Sequence, residues 1–522
     1  MEEVPTEISI ITLNCWGLKY ISKLRRERLA EIGHQIAIAD PQPHIVALQE
    51  CWTQEDYRSI RRQTRFILPY GKFYHSGAFG GGLAILSLWP IEESTVFPYS
   101  LNGRPTAFWR GDWFVGKGVA HAKIRYGSGP KHIVEVFNTH THAPYEHGPN
   151  DSYICHRTAQ SWEMSKLLRG ASDRGHLVLA LGDFNMLPMS LEHRIITANA
   201  PVRDTWRVLH PDSSVGPADH PSERARRRPI PTAEFNIHEN GAASDGPYNT
   251  WRWTKAQQKL LGPGKPEVIV APDTIDQRGK RLDYIFAGCG DVATLGGGWV
   301  VRRVSVGMMM RHPDLRCSLS DHFAMEATLV FHPIESPGTG HPADKLPVRM
   351  TATTRFGPDS DTIMDDKEDK ALHNGTYLQS PVPSECRGSK SLDSQLMAAL
   401  REQDPLPGAA YDEILAMISK YVARERSQRR WRARHFFASV AVSVACFVAV
   451  WFSPGNYVAF ILMLLSSLGL VAGTIDGLLA LLFFKSELRA LKEFQWQITN
   501  AKAAAGGDAV SVPDNTDDNQ GW

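Results

Sequence analysis

The chain has 522 residues, with 57 Lys and Arg against 56 Asp and Glu, 43% hydrophobic residues and a mean hydropathy of -0.27. That length is room for two or three domains of roughly 100–200 residues, and 42 Gly with 33 Pro exclude a collagen-like or wholly disordered chain. A charge balance this close to zero argues against a protein that coats nucleic acid.

The N-terminal run MEEVPTEISIITLNCWG opens with acids and passes directly into a strand pattern, without the basic and small-residue pattern of a secretory signal. Further β-rich apolar runs are Ile8–Leu13, His44–Leu48, Leu83–Leu88, His132–Phe137, Leu177–Leu181, Leu282–Phe286 and Phe323–Val330. Helical patterns lie between them. Leu24–Ala39 places Leu29, Ile32, Ile36 and Ala39 on one face, and a second pattern covers Tyr153–Leu168. Interleaved strands and helices over residues 1–332 predict one large domain of the α/β type.

Residues 333–407 change texture to Pro, Ser, Thr, Gly, Asp and Lys, which predicts a flexible polar linker. Residues 408–435 read as an amphipathic helix that becomes basic, Tyr421–Arg434 holding six Arg and one Glu. Two apolar segments follow over 436–484. Phe436–Phe452 has no charge, Ser453-Pro454-Gly455-Asn456 signals a turn, and Tyr457–Phe484 holds only Asp476. A bilayer core needs about 20 apolar residues, so a transmembrane hairpin is expected. The Arg-rich stretch before it and Lys485, Arg489 and Lys492 after it place both ends in the cytosol. Residues 485–522 form the tail, whose acidic end carries Asp508, Asp514, Asp517 and Asp518. The seven cysteines (15, 51, 155, 289, 317, 386 and 446) show no CxxC or zinc spacing, so reduced thiols are expected.

Several strand patterns end in residues of chemical use. Ile8–Leu13 leads to Asn14, Ile45–Leu48 to Gln49 and Glu50, and Val134–Phe137 to Asn138, Thr139 and His140. Leu177–Leu181 leads to Gly182, Asp183, Phe184 and Asn185, Leu282 to Asp283, and Ser320-Asp321-His322 precedes the last strand. One such end is commonly a cap; six in one domain make an inventory for metal-assisted phosphoester hydrolysis. The oxygen groups of Glu50, Asn14, Asp183, Asn185 and Asp321 suit a hard Mg²⁺ or Mn²⁺, and His140 and His322 can act on phosphate and water. A divalent ion neutralises phosphate charge while a histidine near neutral pKa activates water, so no covalent nucleophile is needed.

The motifs LNCWG, LQE, NTHTHAPY, GDFN, RLDYIF and SDH, in this order, resemble the endonuclease/exonuclease/phosphatase superfamily, over about residues 7–332. Within it, NTHTHAPY, GGLAILSLWPI, GDWFVGKGVA and SDGPYNTWRW are similar to the neutral sphingomyelinase branch, which includes the fungal inositol phosphosphingolipid phospholipases C. The resemblance implies an α+β, DNase I-like, four-layer sandwich of two β-sheets flanked by helices, followed by a C-terminal transmembrane hairpin. It implies Glu50 as principal Mg²⁺ ligand, with Asn14 supporting the metal or phosphate and Asp321 completing the metal side. By the same resemblance His322 is the general base oriented by Asp283, Asp183 and Asn185 orient water and phosphoryl oxygens, and His140 binds the phosphate. Lys117 and Asp112 become a substrate-handling loop, and His142 either touches the headgroup or is structural.

The implied reaction is phospholipase C cleavage of an inositol phosphosphingolipid, or of sphingomyelin, to ceramide and a phosphorylated headgroup. The alternatives are a nuclease or other phosphoesterase of the superfamily and a non-catalytic membrane scaffold. Anionic phospholipids are the expected partners of Arg424–Arg434, no nucleic acid is expected, and the membrane is that of the endoplasmic reticulum or the outer mitochondrial membrane. Gly111–Gly118 fits part of a Walker A loop but has Gly118 where Ser or Thr would hold Mg²⁺, so ATP is not expected. The run Arg224–Arg228 reads as a solvated loop or a membrane contact, and Tyr248, Trp251 and Trp253 as core or interfacial anchors.

Overall fold

A computed structural model of the chain describes residues 4–146, 150–333 and 405–506. The expected linker and acidic tail lie almost wholly outside the described residues. Contacts divide the chain into two compact units. The first takes in Met1–Phe97, Gly118–Thr141 and Glu163–Asp404; the second takes in Pro98–Lys117, His142–Trp162 and Pro405–Trp522. Segments from within residues 1–332 thus cluster with the C-terminal helices.

The first unit holds two six-stranded sheets. One comprises β1 (Glu7–Asn14), β2 (Ile45–Gln49), β3 (Tyr70–Tyr74), β4 (Leu83–Ser87), β11 (Gly297–Gly307) and β12 (Ala324–Pro333), in the order β11-β12-β1-β2-β4-β3. The other comprises β5 (Ile91–Pro98), β6 (Gly118–Arg125), β7 (Ile133–His140), β8 (Leu177–Asp183), β9 (Arg203–Asp204) and β10 (Asp283–Gly288), in the order β5-β6-β7-β8-β10-β9. Each sheet mixes parallel and antiparallel neighbours: β1 is parallel to β2 and antiparallel to β12, and β8 is parallel to β7 and antiparallel to β10.

Side chains alternate along each strand, so one stripe faces the opposite sheet and the other faces helices. Ile8 and Ile10 of β1, Ile45 and Ala47 of β2, Leu177, Leu179 and Leu181 of β8 and Ile285 and Ala287 of β10 share the core between the sheets. Ile11, Leu13, Val46 and Leu48 point the other way, onto Leu29, Ile32 and Ile36 of α1 (Arg25–Ala37) and Ile60 of α2 (Gln54–Thr64). On the outer face of the second sheet, His193 of α5 (Leu191–Asn199) meets Tyr284 and Phe286 of β10. Helix, sheet, sheet and helix make the four layers, each apolar face covered by the next. Each buried aliphatic side chain contributes about 1.5–3 kcal/mol.

The inner stripes matter most for function, because each ends polar on one side of the sandwich. Counting by twos from Ile8 leads to Thr12 and Asn14, from Ile45 to Gln49, from Leu177 to Asp183, and back from Ile285 to Asp283. Register then sets these ends side by side: Asn14 opposite Gln49, Asp183 opposite both His140 and Asp283.

In the second unit, α3 (Asp112–Val115) is a single turn between Gly111 and Gly116, and α4 (Ile154–Asp173) begins here and runs into the first unit. The juxtamembrane helix and first apolar segment form one uninterrupted helix, α6 (Gly408–Val450). After a short turn, α7 (Asn456–Leu478) passes through a π-helical turn, Leu479–Phe483, into α8 (Phe484–Ala505). Both apolar stretches are long and apolar enough to cross a membrane. Small residues let α6 and α7 approach: a Cβ on Gly473 would lie 2.4 Å from Ser439 and one on Gly477 2.8 Å from Phe436. Asp476 pairs with Arg432, and with His435 Nδ1 at 2.8 Å, so the one acidic side chain of the second segment is matched by bases that precede the first.

Candidate active site

Six of the predicted residues meet at the polar strand ends of the first unit. Asn14 Nδ2 donates to Glu50 Oε1 and to Asp183 Oδ2, both at 3.0 Å. His322 Nδ1 donates to Asp283 Oδ2 at 2.7 Å, and its Nε2 lies 4.0 Å from Asp183 Oδ2. His140 Nε2 lies 3.6 Å from the same Asp183 oxygen. Asn185 is held next to them, its backbone N–H on Asp183 Oδ1 at 3.0 Å and its amide on the Thr141 carbonyl at 3.2 Å. Asp321 lies at the rim with Oδ2 3.9 Å from Arg252. Lys117, Asp112 and His142 belong to the second unit.

Local backbone geometry aims these groups. Glu50 and Asn185 have φ of 53° and 46°, the left-handed region that non-glycine residues seldom occupy, at a cost of about 1–3 kcal/mol each. Gly17 braces the first bend by donating its N–H to the Glu50 carbonyl at 3.0 Å. The two chains come so close that a Cβ on Gly17 would be 2.3 Å from that oxygen. Gly182, with φ of 139°, passes the Thr139 carbonyl, which a Cβ would meet at 2.0 Å. These approaches explain the glycines of LNCWG and GDFN.

Asn14 joins two of these carboxylates. Its Oδ1 accepts the Trp16 N–H at 3.0 Å, leaving Nδ2 to bridge the two carboxylates. As placed it is a donor that holds Glu50 and Asp183.

The electrostatics follow from burial. Burial, and next the charge of Asp283, push the Asp183 carboxyl up to about 6, while His322 and the Asn14 amide pull it back. Burial on its own would lower His322, but Asp283, Asp183 and Asp321 outweigh it and hold the imidazole well above its ordinary value. The second Asp283 oxygen is buried without a hydrogen-bond partner among the described residues. Ligand atoms of Asp183, Asp283 and His322 lie within 4.8 Å of one another. Two carboxylates in one buried place, an unsatisfied oxygen and a third carboxylate, Glu50, across the Asn14 bridge are a donor set that fits a divalent cation.

The supporting shell was harder to read from sequence. Arg28, wholly buried in α1, donates to the carbonyls of Cys15, Trp16, Lys23 and Leu319, tying the LNCWG loop to the loop before His322. Its signal was a cation on the apolar face of α1. Gln49 bridges Thr12 and Asn138 across the two sheets. Ser320 donates to the Asn14 carbonyl and Asn249 to the Ser320 carbonyl. The SDGPYNTWRW segment adds Asp245, which pairs with both Arg252 and Lys280. Trp251 packs against Trp16 with centroids 4.8 Å apart and planes at 56° and donates to the Ser318 carbonyl, and Trp253 donates to the Pro247 carbonyl under Arg311. Both indoles are therefore braces of this loop. Arg226 and Arg228 of the basic run bond to Ser213 and Asp212, and that part of the insertion encloses a cavity of about 820 Å³.

In the second unit, Asp112 and Lys117 are buried and electrostatically coupled; burial, opposed by Lys117, raises the Asp112 carboxyl. Gly118 opens β6 where a Walker A loop would open a helix. His142 is fully buried with Nδ1 2.6 Å from the Gln160 amide. Burial, then His156 and Lys117, hold it well below the ordinary histidine value.

This constellation has known counterparts. The sequence profile of the endonuclease/exonuclease/phosphatase family matches residues 11–322. The chain belongs to this family. An inositol phosphosphingolipids phospholipase C of Schizosaccharomyces pombe is 34% identical over 504 residues, covering 96% of each chain. The enzyme of that name from Saccharomyces cerevisiae is 29% identical over 95% of this chain and 90% of its own. Human sphingomyelin phosphodiesterase 2 is 35% identical over 35% of this chain and 42% of its own. Within the family the chain thus sits in the branch of neutral sphingomyelinases and inositol phosphosphingolipid phospholipases C, and its likeness to the S. pombe member runs through the C-terminal helices.

Proposed function

We propose that the protein is a membrane-anchored, Mg²⁺-dependent phospholipase C acting on inositol phosphosphingolipids, with sphingomyelin as a second substrate. The observation that carries this reading is the His322–Asp283 pair set against Asp183, Asn14 and Glu50 in a chain matched along 96% of its length by an enzyme of that name.

The residues divide the work as follows. Asp283 accepts a hydrogen bond from His322 Nδ1–H, which turns Nε2 toward Asp183 and fixes the tautomer. The carboxylate charge that keeps the imidazole protonated would be offset by a cation held beside Asp183, so that Nε2 can take a proton from water. Asp183 and Asn185 hold that water and the phosphoryl oxygens, and His140, at the end of β7, donates to the charge that grows on phosphate. Glu50 and Asp183, held apart by Asn14, would hold Mg²⁺ with Asp321 at the rim, and the ion supplies charge neutralisation of the phosphate and leaving oxygen. Water adds to phosphorus, the bond to the ceramide oxygen breaks, that oxygen gains a proton, and the phosphorylated headgroup leaves.

The hairpin supports the anchoring. Arg426, Arg430 and Arg434 recur every four residues on α6 and are exposed immediately before the apolar stretch, a basic stripe suited to anionic headgroups. The deciding assay is release of phosphorylated headgroup from inositol phosphoceramide and from sphingomyelin, side by side, with Mg²⁺ and with chelator. Hydrolysis of neither lipid, by a folded protein in Mg²⁺, would end this reading.

A further inference from the structure

The loop that carries Asp112 and Lys117 is part of the same compact unit as the apolar helices. Within that unit the Trp113 ring meets the Phe483 ring edge-on, with centroids 4.6 Å apart and planes at 89°. Trp113 lies in the single turn of α3, next to Asp112. Phe483 ends the five-residue π-helical turn between α7 and α8, a kind of irregularity often found at functional places.

The depth of Phe483 follows from the charge pattern. The apolar run Tyr457–Phe484 would extend about 42 Å as a helix, against about 30 Å for a hydrocarbon core and 40–45 Å for a bilayer with its headgroups. Its first flanking charge after Asp476 is Lys485. Asp476 pairs with Arg432 and His435, just ahead of the first apolar segment, and Phe483 lies about 10 Å beyond it along the helix. Phe483, and with it Trp113, is thereby set at headgroup level, where tryptophan is favoured. Leu481 and Leu482 beside it are 59% and 55% exposed. So are Phe108 and Trp109, at 69% and 72%, four or five residues before Trp113.

We infer that Phe108–Phe114 is a membrane-contacting segment in its own right, with Phe108 and Trp109 seated in the headgroup–acyl boundary of the leaflet and the Trp113–Phe483 contact holding it there. This rests on the hairpin spanning the bilayer, as proposed above. Its consequence is that the Asp112–Lys117 loop is carried at headgroup depth, so a sphingolipid need not leave the leaflet to reach it. Apolar burial in the boundary supplies the binding energy.

The test uses the full chain reconstituted in phosphatidylcholine vesicles, with Cys386 and Cys446 replaced by Ser. A nitroxide on Trp109→Cys is expected to collide freely with oxygen and to be shielded from a water-soluble nickel chelate, compared with a nitroxide on Arg62→Cys of α2. Adding Trp113→Ala or Phe483→Ala is expected to remove that shielding. A nitroxide at 109 as open to nickel as one at 62 overturns the inference, whether or not any lipid is hydrolysed. In the active protein, Phe108→Ser with Trp109→Ser is expected to lower kcat/KM about tenfold on sphingolipid in vesicles and to leave a water-soluble aryl phosphodiester unaffected. Equal loss on both substrates also overturns it, since a folding defect acts on both.

Discussion

Two buried histidines, His322 in the first unit and His142 in the second, stand in similar short motifs and have opposite electrostatics. Burial disfavours the charged imidazole in both. His322 faces Asp283, Asp183 and Asp321, which overcome burial and hold its proton, while His142 faces His156 and Lys117, which add to it. Neighbouring His156 is pushed to about 3 by burial, Arg424 and Arg104. The lesson is that burial sets no direction for function by itself. The sign of the surrounding charge decides whether a buried histidine is a proton carrier or a neutral packing and hydrogen-bonding group.

The largest expected effect tests that contrast directly. His322→Ala should lower headgroup release about 10³-fold, the range for loss of a general base, with an unchanged circular dichroism spectrum. His142→Ala should instead lower Tm with activity per folded molecule within a few-fold. Equal catalytic losses in two folded variants would erase the difference and make His142 a substrate contact.

A second comparison sets Asp183 against Asp204, both buried. Although burial raises it, the Arg281 guanidinium at 2.7 Å, together with His193, holds Asp204 well below the usual carboxylate range. Arg281→Leu should cost about 3–5 kcal/mol in chemical denaturation, because it strands a buried charge. The Asp204 contribution is present above the unfolded carboxylate value near 3.9 and is lost only as pH falls through the depressed folded value.

Asp183 has the reverse sign. Its folded carboxyl keeps its proton up to about 6, so the cation-free protein should lose stability as pH rises from about 4 to 6 and stay at its lowest above that window. A hundredfold excess of Mg²⁺ over its Kd at pH 7.5 should therefore stabilise the protein by about 2–3 kcal/mol, and the same Mg²⁺ concentration should raise Tm less at pH 5. An equal shift at both values would mean that the ion binds elsewhere. The smallest effect belongs to the basic stripe. Arg430→Gln should reduce the stimulation of headgroup release by anionic lipid in mixed micelles by the equivalent of about 1 kcal/mol at low salt, and leave release in micelles without anionic lipid unchanged.

Much of the site was legible because strand periodicity is a local property. Leu177–Leu181 announces a buried strand, and its next inner-facing residue is Asp183 whatever the rest of the chain does. Five strands escaped notice for the same physical reason. β3 and β5 are largely exposed or half-buried, β9 has two residues, and β6 and β11 interrupt their apolar residues with His121, Lys123 and Arg125 or with Arg302 and Arg303. Arg28 and Arg252 escaped because what distinguishes them is which distant carbonyls and carboxylates they meet.

The amino-acid order alone determined the chemistry on offer: carboxylates, amides and histidines at the ends of apolar strands, and two apolar helices flanked by arginine and lysine. Tertiary structure decided the pairing. Only register across β8, β7 and β10 sets Asp183 against His140 and Asp283, and only the folded loop turns Asn14 into a bridge between two carboxylates. Only the contacts of the second unit join the GDWFVGKG segment to the apolar helices. Composition and periodicity act over a few residues, whereas proton affinity, cation binding and membrane depth depend on groups brought together from far along the chain.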